Sequence, residues 1–339
     1  MLNLEKICFT DQLAVTEWER LLTREGIVRD PNLEYAVGLY TDGGELVATG
    51  ACMGNTLRCI AVSDEYRGCG LTNRLVTHLT EHLNARGVYH IFLYTKCETA
   101  PFFADLGFHC IATVDGKLAF MENKADGFSR YLSNLKRGHG RQAAIVMNAN
   151  PFTNGHRYLV ECAAKSCDSL HLFVVSEDRS AVPFSVRSRL VQEGTADLCN
   201  IIYHKTGSYL ISQATFPSYF LKKEDCVTEV QAETDAAVFS KIALELGIDR
   251  RFVGEEPYSA LMARYNRTLR RVLSGYGVEV TEIPRLSYGG NFVSATTIRS
   301  LLRSGNLKTV AFMVPQSTYR YFTSSEAVPV LKRIRKASH

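Results

Sequence analysis

The sequence predicts an α/β protein of two domains, the second built on a doubly wound parallel sheet, and three observations carry that expectation. First, buried-strand patterns at Ala143–Met147 and Ser169–Ser176 flank an amphipathic stretch with Leu159, Cys162 and Ala163 on its apolar face. Strand, helix, strand in that order makes a parallel pair. Second, the strand opens into the helix through Asn150-Pro151-Phe152-Thr153-Asn154-Gly155-His156, the kind of junction where α/β sheets collect ligands. Third, charge is divided unevenly: residues 1–123 hold 10 Lys and Arg against 16 Asp and Glu, net −6, and residues 124–339 hold 29 against 19, net +10. Two halves of opposite sign face different partners.

The 339 residues, 46% of them hydrophobic, supply material for two cores. The opening residues lack the basic start, apolar run and small-residue cleavage site of a signal peptide, and no apolar run reaches membrane-spanning length. A cytoplasmic location without a membrane partner is therefore expected. Ten cysteines contain no C-x-x-C pair, which points to idle thiols rather than metal or redox chemistry. The positive second half suits ATP or an acidic protein. It lacks the Lys/Arg stripes interleaved with aromatics that nucleic acid requires, and Lys332–Lys336 reads as a solvated end.

Asp126-Gly127 and Gly138-His139-Gly140 bracket a polar stretch, so the expected domains are 1–123 and 141–339, joined by a linker at 124–140. In the first, Glu45–Met53 and Leu57–Val62 read as strands around the turn Gly54-Asn55. Arg67-Gly68-Cys69-Gly70 then opens a helix with Leu71, Leu75, Leu79 and Leu83 on one face, followed by a strand at His90–Lys96 and a helix at Ala100–Gly107. The Gly-x-Gly loop is either a tight turn or a phosphate cradle. His78 and His82, one turn apart, have metal-pair spacing with no third ligand in view. This order resembles the GNAT acetyltransferase fold, whose Arg-Gly-x-Gly-x-Gly/Ala loop holds the pyrophosphate of coenzyme A; here it ends in Thr72. Pro101–Phe108 is similar to that family's closing motif, with Phe103 where a Tyr general acid is common.

In the second domain, further strands are expected at Asn200–His204, Arg251–Gly254 and Gly277–Ile283, with a helix at Thr234–Leu246 stopped by Gly247. Helix N-termini offer unpaired N–H groups to phosphate, so Gly155 can bring the backbone close to a ligand and His156 can add a donor. Downstream, Val293-Ser294-Ala295-Thr296-Thr297-Ile298-Arg299 starts another helix. Ser294 or Thr296 can cap it, and Arg299 can clamp two phosphate oxygens. The two segments together resemble the nucleotidyltransferase superfamily, with its His/Thr-x-Gly-His and Ile-Ser-Ser-Thr-x-Ile-Arg motifs. Asn150 replaces a common Asp, and Val293 and Ala295 replace Ile and Ser. The resemblance implies catalytic roles for His156, Thr153 and Arg299, and ATP contacts from Asn150, Phe152, Gly155, Ser294 and Thr296. Phe184-Ser185-x-x-x-Arg189 is similar to a segment carrying another phosphate-facing Arg, with Arg187 as the alternative. Gly254 and Glu255, at a strand end, are expected beside the ribose or a metal. Mg²⁺ is expected on the phosphates, with no dedicated metal site.

A GNAT-like domain followed by a nucleotidyltransferase domain resembles the citrate lyase ligase family over nearly the whole chain. Arg251–Pro257 and Ile283-Pro284-Arg285 also fit it. That resemblance implies that acetate and ATP give acetyl-adenylate and pyrophosphate. The thiol of a dephospho-coenzyme A-type prosthetic group on the citrate lyase acyl carrier protein then takes the acetyl group and releases AMP. Arg67, Gly68 and Gly70 are expected to hold part of that group. Two other readings stay open: an adenylyltransferase of a phosphopantetheine- or nucleotide-like substrate, and an acetyltransferase or acetyl-coenzyme A sensor fused to a nucleotide-binding domain.

Overall fold

The computed structural model describes residues 2–210, 212, 216–221, 226–257, 259–288 and 291–336. One unit comprises Met1–Tyr131 with Thr215–Thr234, the other Leu132–Ala214 with Asp235–His339. The sequence between the two halves of the second unit therefore returns to the first.

The first unit contains β1 (Asn3–Lys6), α1 (Gln12–Arg24), β2 (Tyr35–Tyr40), β3 (Leu46–Met53), β4 (Thr56–Val62), α2 (Leu71–Ala85), β5 (Phe92–Thr95), α3 (Ala100–Asp105), β6 (His109–Val114) and β7 (Leu118–Glu122), and leads into α4 (Gly127–Ser133). Its seven strands run in the order β1-β2-β3-β4-β5-β7-β6. The sequence reading contains β3, β4, β5, α2 and α3 but not β1, β2, β6 and β7. The interior strand β3 is buried along its whole length, so it shows no polar alternation. Leu71, Leu75, Leu79 and Leu83 of α2 all enter the core, as their spacing predicts. All neighbouring pairs are antiparallel except β4 and β5, which are parallel and register only at Thr56–Phe92 and Leu57–Leu93. Beyond that short pairing the two strands part, and a cleft lies between them.

The second unit continues with β8 (Gln142–Met147), α5 (Asn154–Ala164), β9 (Ser169–Val174), α6 (Phe184–Gly194), β10 (Ile201–Lys205), α7 (Val227–Leu246), β11 (Ile248–Gly254), α8 (Ala260–Ser274) and β12 (Glu279–Ile283). A small hairpin of β13 (Ser287–Tyr288) and β14 (Asn291–Phe292) precedes α9 (Ala295–Arg303), α10 (Leu307–Met313), α11 (Gln316–Thr323) and α12 (Val328–Lys336). The sheet order is β10-β9-β8-β11-β12 and every pair is parallel. This is the doubly wound sheet expected from sequence. The chain order reverses at β8, so the β8/β11 boundary is the switch point at which such sheets open a crevice. α7 begins at Val227, seven residues before the expected Thr234. Its early turns belong to the first unit.

One core cluster joins Ile145, Leu172 and Val174 of the sheet to Phe152 of the β8–α5 turn and to Val160, Ile298, Val310 and Tyr321 of the helices. Elsewhere in the unit, buried Arg251 of β11 pairs through both terminal nitrogens with Asp235 of α7, at 3.0 and 2.9 Å, and Tyr265 of α8 donates to the same carboxylate. Arg251 is thus a clasp between strand and helices. His171 and His204 are buried neighbours, Nδ1 to Nε2 2.9 Å, and the other His171 nitrogen meets Gln142 Oε1 at 2.9 Å. Burial pulls both imidazoles down to about 4, and the neighbouring His171 and Lys136 add to the effect at His204.

Because the folded values lie below the unfolded value near 6.5, the unfolded chain binds more protons between those limits. The stabilisation is complete above pH 6.5 and is lost as pH falls towards 4. Replacing His204 by Gln is expected to flatten the pH dependence of the unfolding free energy across this window, by at most about 1.4 kcal/mol per pH unit. Urea titrations at several pH values check this, and an unchanged slope would contradict it.

Among the described residues, no helix is long and apolar enough to cross a membrane.

Candidate active site

The turn from β8 into α5 is organised by hydrogen bonds to its own backbone. Thr153 is the N-cap of α5: its hydroxyl accepts from the His156 amide at 3.3 Å, and His156 Nδ1 accepts from the Thr153 amide at 3.2 Å. This reciprocal box locks the imidazole at the helix start. An Nδ1 that accepts leaves Nε2 to carry the proton, so the ring is a donor in its neutral state. Burial and, secondarily, the Arg285 charge pull its pKa to about 4, which keeps it neutral at physiological pH. Phe152 stacks beside the ring, centroids 6.0 Å apart, but is itself fully buried in the core. Phe152, expected from sequence to contact ATP, thus has its side chain packed in the core beside His156.

The downstream segment meets this turn. Ser294 caps α9 by accepting from the Thr297 amide at 3.0 Å. Arg299, one turn further on, donates to the Asn150 carbonyl at 2.6 Å and to the Thr296 hydroxyl at 3.0 Å. Asn150 in turn accepts the Val182 amide on its side chain at 3.0 Å. Gly155 also has a packing use that its sequence context does not show. A Cβ there would lie 2.8 Å from the Val293 carbonyl oxygen. The missing side chain lets the two motifs pack together.

Neither arginine of the Phe184 segment joins them. Arg187 is fully buried and donates to the carbonyls of Val182, Asn148, Val175 and Glu177, which binds the ends of β8 and β9 to the following loop. Arg189 donates to both carboxylate oxygens of Glu326, at 2.7 and 2.8 Å, and lies over the Tyr321 ring. Arg189, expected from sequence to face phosphate, is here turned to the C-terminal helices, where Glu326 pairs with it.

At the ends of β11 and β12 the cation is Arg285. It donates to the Glu255 carbonyl at 2.8 Å and to the Glu256 carboxylate. Gly254 has open space where a side chain would stand, and its carbonyl accepts from Asn266 at 3.0 Å. The Glu255 side chain is exposed, its amide bonded to the Ile283 carbonyl at 2.9 Å. Arg285 sits directly after the carboxyl end of β12, and Ile283-Pro284-Arg285 is the sequence signal that marks it.

The electrostatics of the crevice point one way. Arg285 depresses His156, while Arg299 lies below its ordinary value first through burial and then through Arg303. Positive groups that disfavour one another's charge are relieved by an anion, and the helix starts of α5 and α9 add their N–H groups. Among the described residues no cluster of three or more His, Cys, Asp or Glu could hold a metal. Arg285→Gln is expected to raise the His156 pKa from about 4 towards its ordinary value, because a neighbouring positive charge is removed. NMR titration of the ring checks this; an unmoved value would contradict the coupling.

In the first unit, Gly68 and Gly70 have φ of 79° and 72°, and Gly70 caps α2 without a side-chain bond. Both need glycine in this left-handed region, and the turn leaves the first amides of α2 uncapped. Arg67 is not free beside them: it is paired with Glu25 at 2.7 Å and Asp64 at 2.6 Å. The loop adjoins a cavity of about 590 Å³ in the β4/β5 cleft, lined among others by Leu57, Val62, Tyr94 and Phe103. His78 and His82 clamp Tyr35, one by a 2.9 Å hydrogen bond and the other by ring stacking at 3.7 Å.

A family model described as the citrate lyase ligase C-terminal domain matches residues 142–322, and one described as the acetyltransferase (GNAT) family matches residues 1–108. The citrate (pro-3S)-lyase ligase of Escherichia coli (strain K12) is 40% identical over 316 residues, 91% of this chain and 90% of that protein. The ligase of the same name from Haemophilus influenzae is 36% identical over 321 residues, 92% of this chain and 96% of its own. That of Klebsiella pneumoniae is 40% identical over 284 residues, 81% and 83% of the two chains.

Proposed function

The chain belongs to the citrate lyase ligase family, and from that premise we propose how a ligase that activates citrate lyase uses the two units described above. The crevice at the β8/β11 switch point takes ATP and acetate. An acetate oxygen attacks the α-phosphorus, the bond to the β-phosphate oxygen breaks, and pyrophosphate leaves with the electron pair. The thiol of the lyase's acyl carrier prosthetic group then attacks the acetyl carbonyl carbon of the adenylate. AMP departs, and the carrier thiol is acetylated.

The observation that carries this reading is the bond from Arg299 to the Asn150 carbonyl, with Gly155 packed on the Val293 carbonyl. Together they bring two helix N-termini, a neutral imidazole donor and a guanidinium to one strand end. No protein nucleophile is needed. The transition state gains negative charge on phosphate oxygens, and donors fixed in advance stabilise it without reorganising. The His156 Nε2–H and the amides of α5 and α9 serve as such donors, and Arg299 and Arg285 carry the charge that offsets the triphosphate. Thr153 acts through His156, whose tautomer it sets. Magnesium enters with the nucleotide substrate. Acetate-dependent exchange of labelled pyrophosphate into ATP tests the first step; exchange that ignores acetate would reject it.

For the carrier, the uncapped start of α2 at Gly68–Gly70 is the anion seat, and the adjoining cleft takes the thiol arm of a dephospho-coenzyme A-type group. Arg67, paired with two carboxylates, contributes by shaping the loop until a phosphate competes for it. Gly70→Val forces a branched side chain into φ 72° and is expected to raise the KM for the carrier by about tenfold or more. Acetate-dependent exchange should stay unchanged. Unaltered carrier use in this variant would remove the assignment.

A further inference from the structure

The cavity of the first unit has a wall that comes from far along the chain. Tyr219 and Phe220 fall between β10 and α7 in sequence, in the stretch that belongs to the first unit, and both line the cavity while only 7% and 5% exposed. They are held firmly. The Tyr219 carbonyl accepts from the Val28 amide at 2.7 Å, and the two rings meet edge to face at 5.1 Å. Phe216 meets cavity-lining Tyr94 edge-on at 6.1 Å, and Tyr94 stacks on Phe120 at 4.3 Å.

Their position along the cleft follows from β4. The Tyr219 hydroxyl lies against the backbone of Cys59, where β4 leaves regular pairing with a φ of 50°. Cys59 lies between Leu57 and Ile60, both walls of the cavity. This is next to the last β4/β5 pair at Leu57–Leu93. The glycine loop follows Val62, three residues or about 10 Å along β4 from Cys59 at the usual rise of a strand. The cleft therefore has uncapped amides at the glycine loop and, at Cys59, the buried Tyr219 ring with Phe220 edge-on to it.

We infer that Tyr219 and Phe220 are a built-in stop for the cleft, fitting it to a phosphopantetheine-type arm that ends in a free thiol or a two-carbon thioester and rejecting arms with longer acyl chains. The inference rests on the reading that the cleft receives such an arm. A longer chain has to displace rings fixed by backbone and ring contacts, and a packed wall does not yield to a few extra methylenes without loss of affinity. The stop also gives the thiol a fixed depth, set by the chain itself.

Calorimetry on the full chain tests this with dephospho-coenzyme A, its acetyl thioester and its hexanoyl thioester, each offered free and as the carrier-linked arm. The wild-type protein is expected to bind thiol and acetyl forms alike and the hexanoyl form about tenfold or more weakly. Tyr219→Ala and Phe220→Ala should bring the hexanoyl form to within about threefold of the acetyl form, with acetate-dependent exchange at the wild-type level. Phe220→Leu serves where alanine lowers the unfolding midpoint. Discrimination with either the free or the linked arm supports the stop and identifies the source the cleft uses. Equal binding of acetyl and hexanoyl forms by wild type, or discrimination that survives in folded variants, overturns the stop and leaves the arm site standing. Absence of binding by all forms overturns the arm site and the stop with it.

Discussion

Replacing His156 by alanine is expected to lower acetate-dependent ATP–pyrophosphate exchange by about 10²–10³. The ring is built as a fixed donor: Thr153 occupies Nδ1, Phe152 supports one face, and burial with Arg285 holds its pKa to about 4. In the proposed mechanism, a neutral donor at the start of α5 adds its hydrogen bond as charge moves onto the leaving phosphates. The same geometry fixes the expected pH dependence. Protonation of a group with a pKa near 4 is absent between pH 6 and 8, so His156 contributes no inflection to the exchange rate there. A variant with full exchange activity would place the catalytic donor elsewhere.

Arg299→Lys is expected to lower kcat/KM for exchange by about 10², and Arg299→Ala by at least as much. The guanidinium donates to two acceptors at once, the Asn150 carbonyl and the Thr296 hydroxyl, and its fork has further N–H donors for the proposed phosphate contact. An ammonium has the charge but not the planar fork, so it cannot keep both bonds and a phosphate contact in one geometry. The alanine variant additionally strips the Asn150 carbonyl of its partner, which costs about 1–3 kcal/mol where water cannot replace it. Stopped-flow or steady-state exchange assays, paired with an unfolding midpoint for each variant, separate this from simple loss of fold. Full rescue by lysine would show that charge alone matters.

The architecture was readable where a local pattern carries the information. Ala143–Met147 and Ser169–Val174 are buried strands because they are continuous apolar runs, and Leu71, Leu75, Leu79 and Leu83 fall on one helical face. Two of the four unread strands of the first unit lack such a signal: β1 has a mostly exposed pattern of four residues, and β6 alternates irregularly, whereas β2 and β7 are short buried runs. Long-range partners are the second gap. Arg189 and Arg187 differ in fate only because Glu326 stands opposite one and four carbonyls surround the other. Gly155 has the spacing of a ligand loop, yet the atom that demands glycine is a carbonyl at Val293, more than a hundred residues on. Arg285 has a partner next to it in space, Glu256, that no periodicity links to it. The returning segment at Thr215–Thr234 is of the same kind: aromatic residues in a connection say nothing about which unit they cover.

The most direct test of the central claim incubates the chain with ATP, acetate and deacetylated citrate lyase, following AMP, pyrophosphate and lyase activity together. The account predicts AMP and pyrophosphate in equal amounts, matched to the carrier thiols acetylated, with lyase activity restored only when both ATP and acetate are present. Restoration from acetyl-coenzyme A without ATP, or cleavage of ATP to ADP and phosphate, would contradict it.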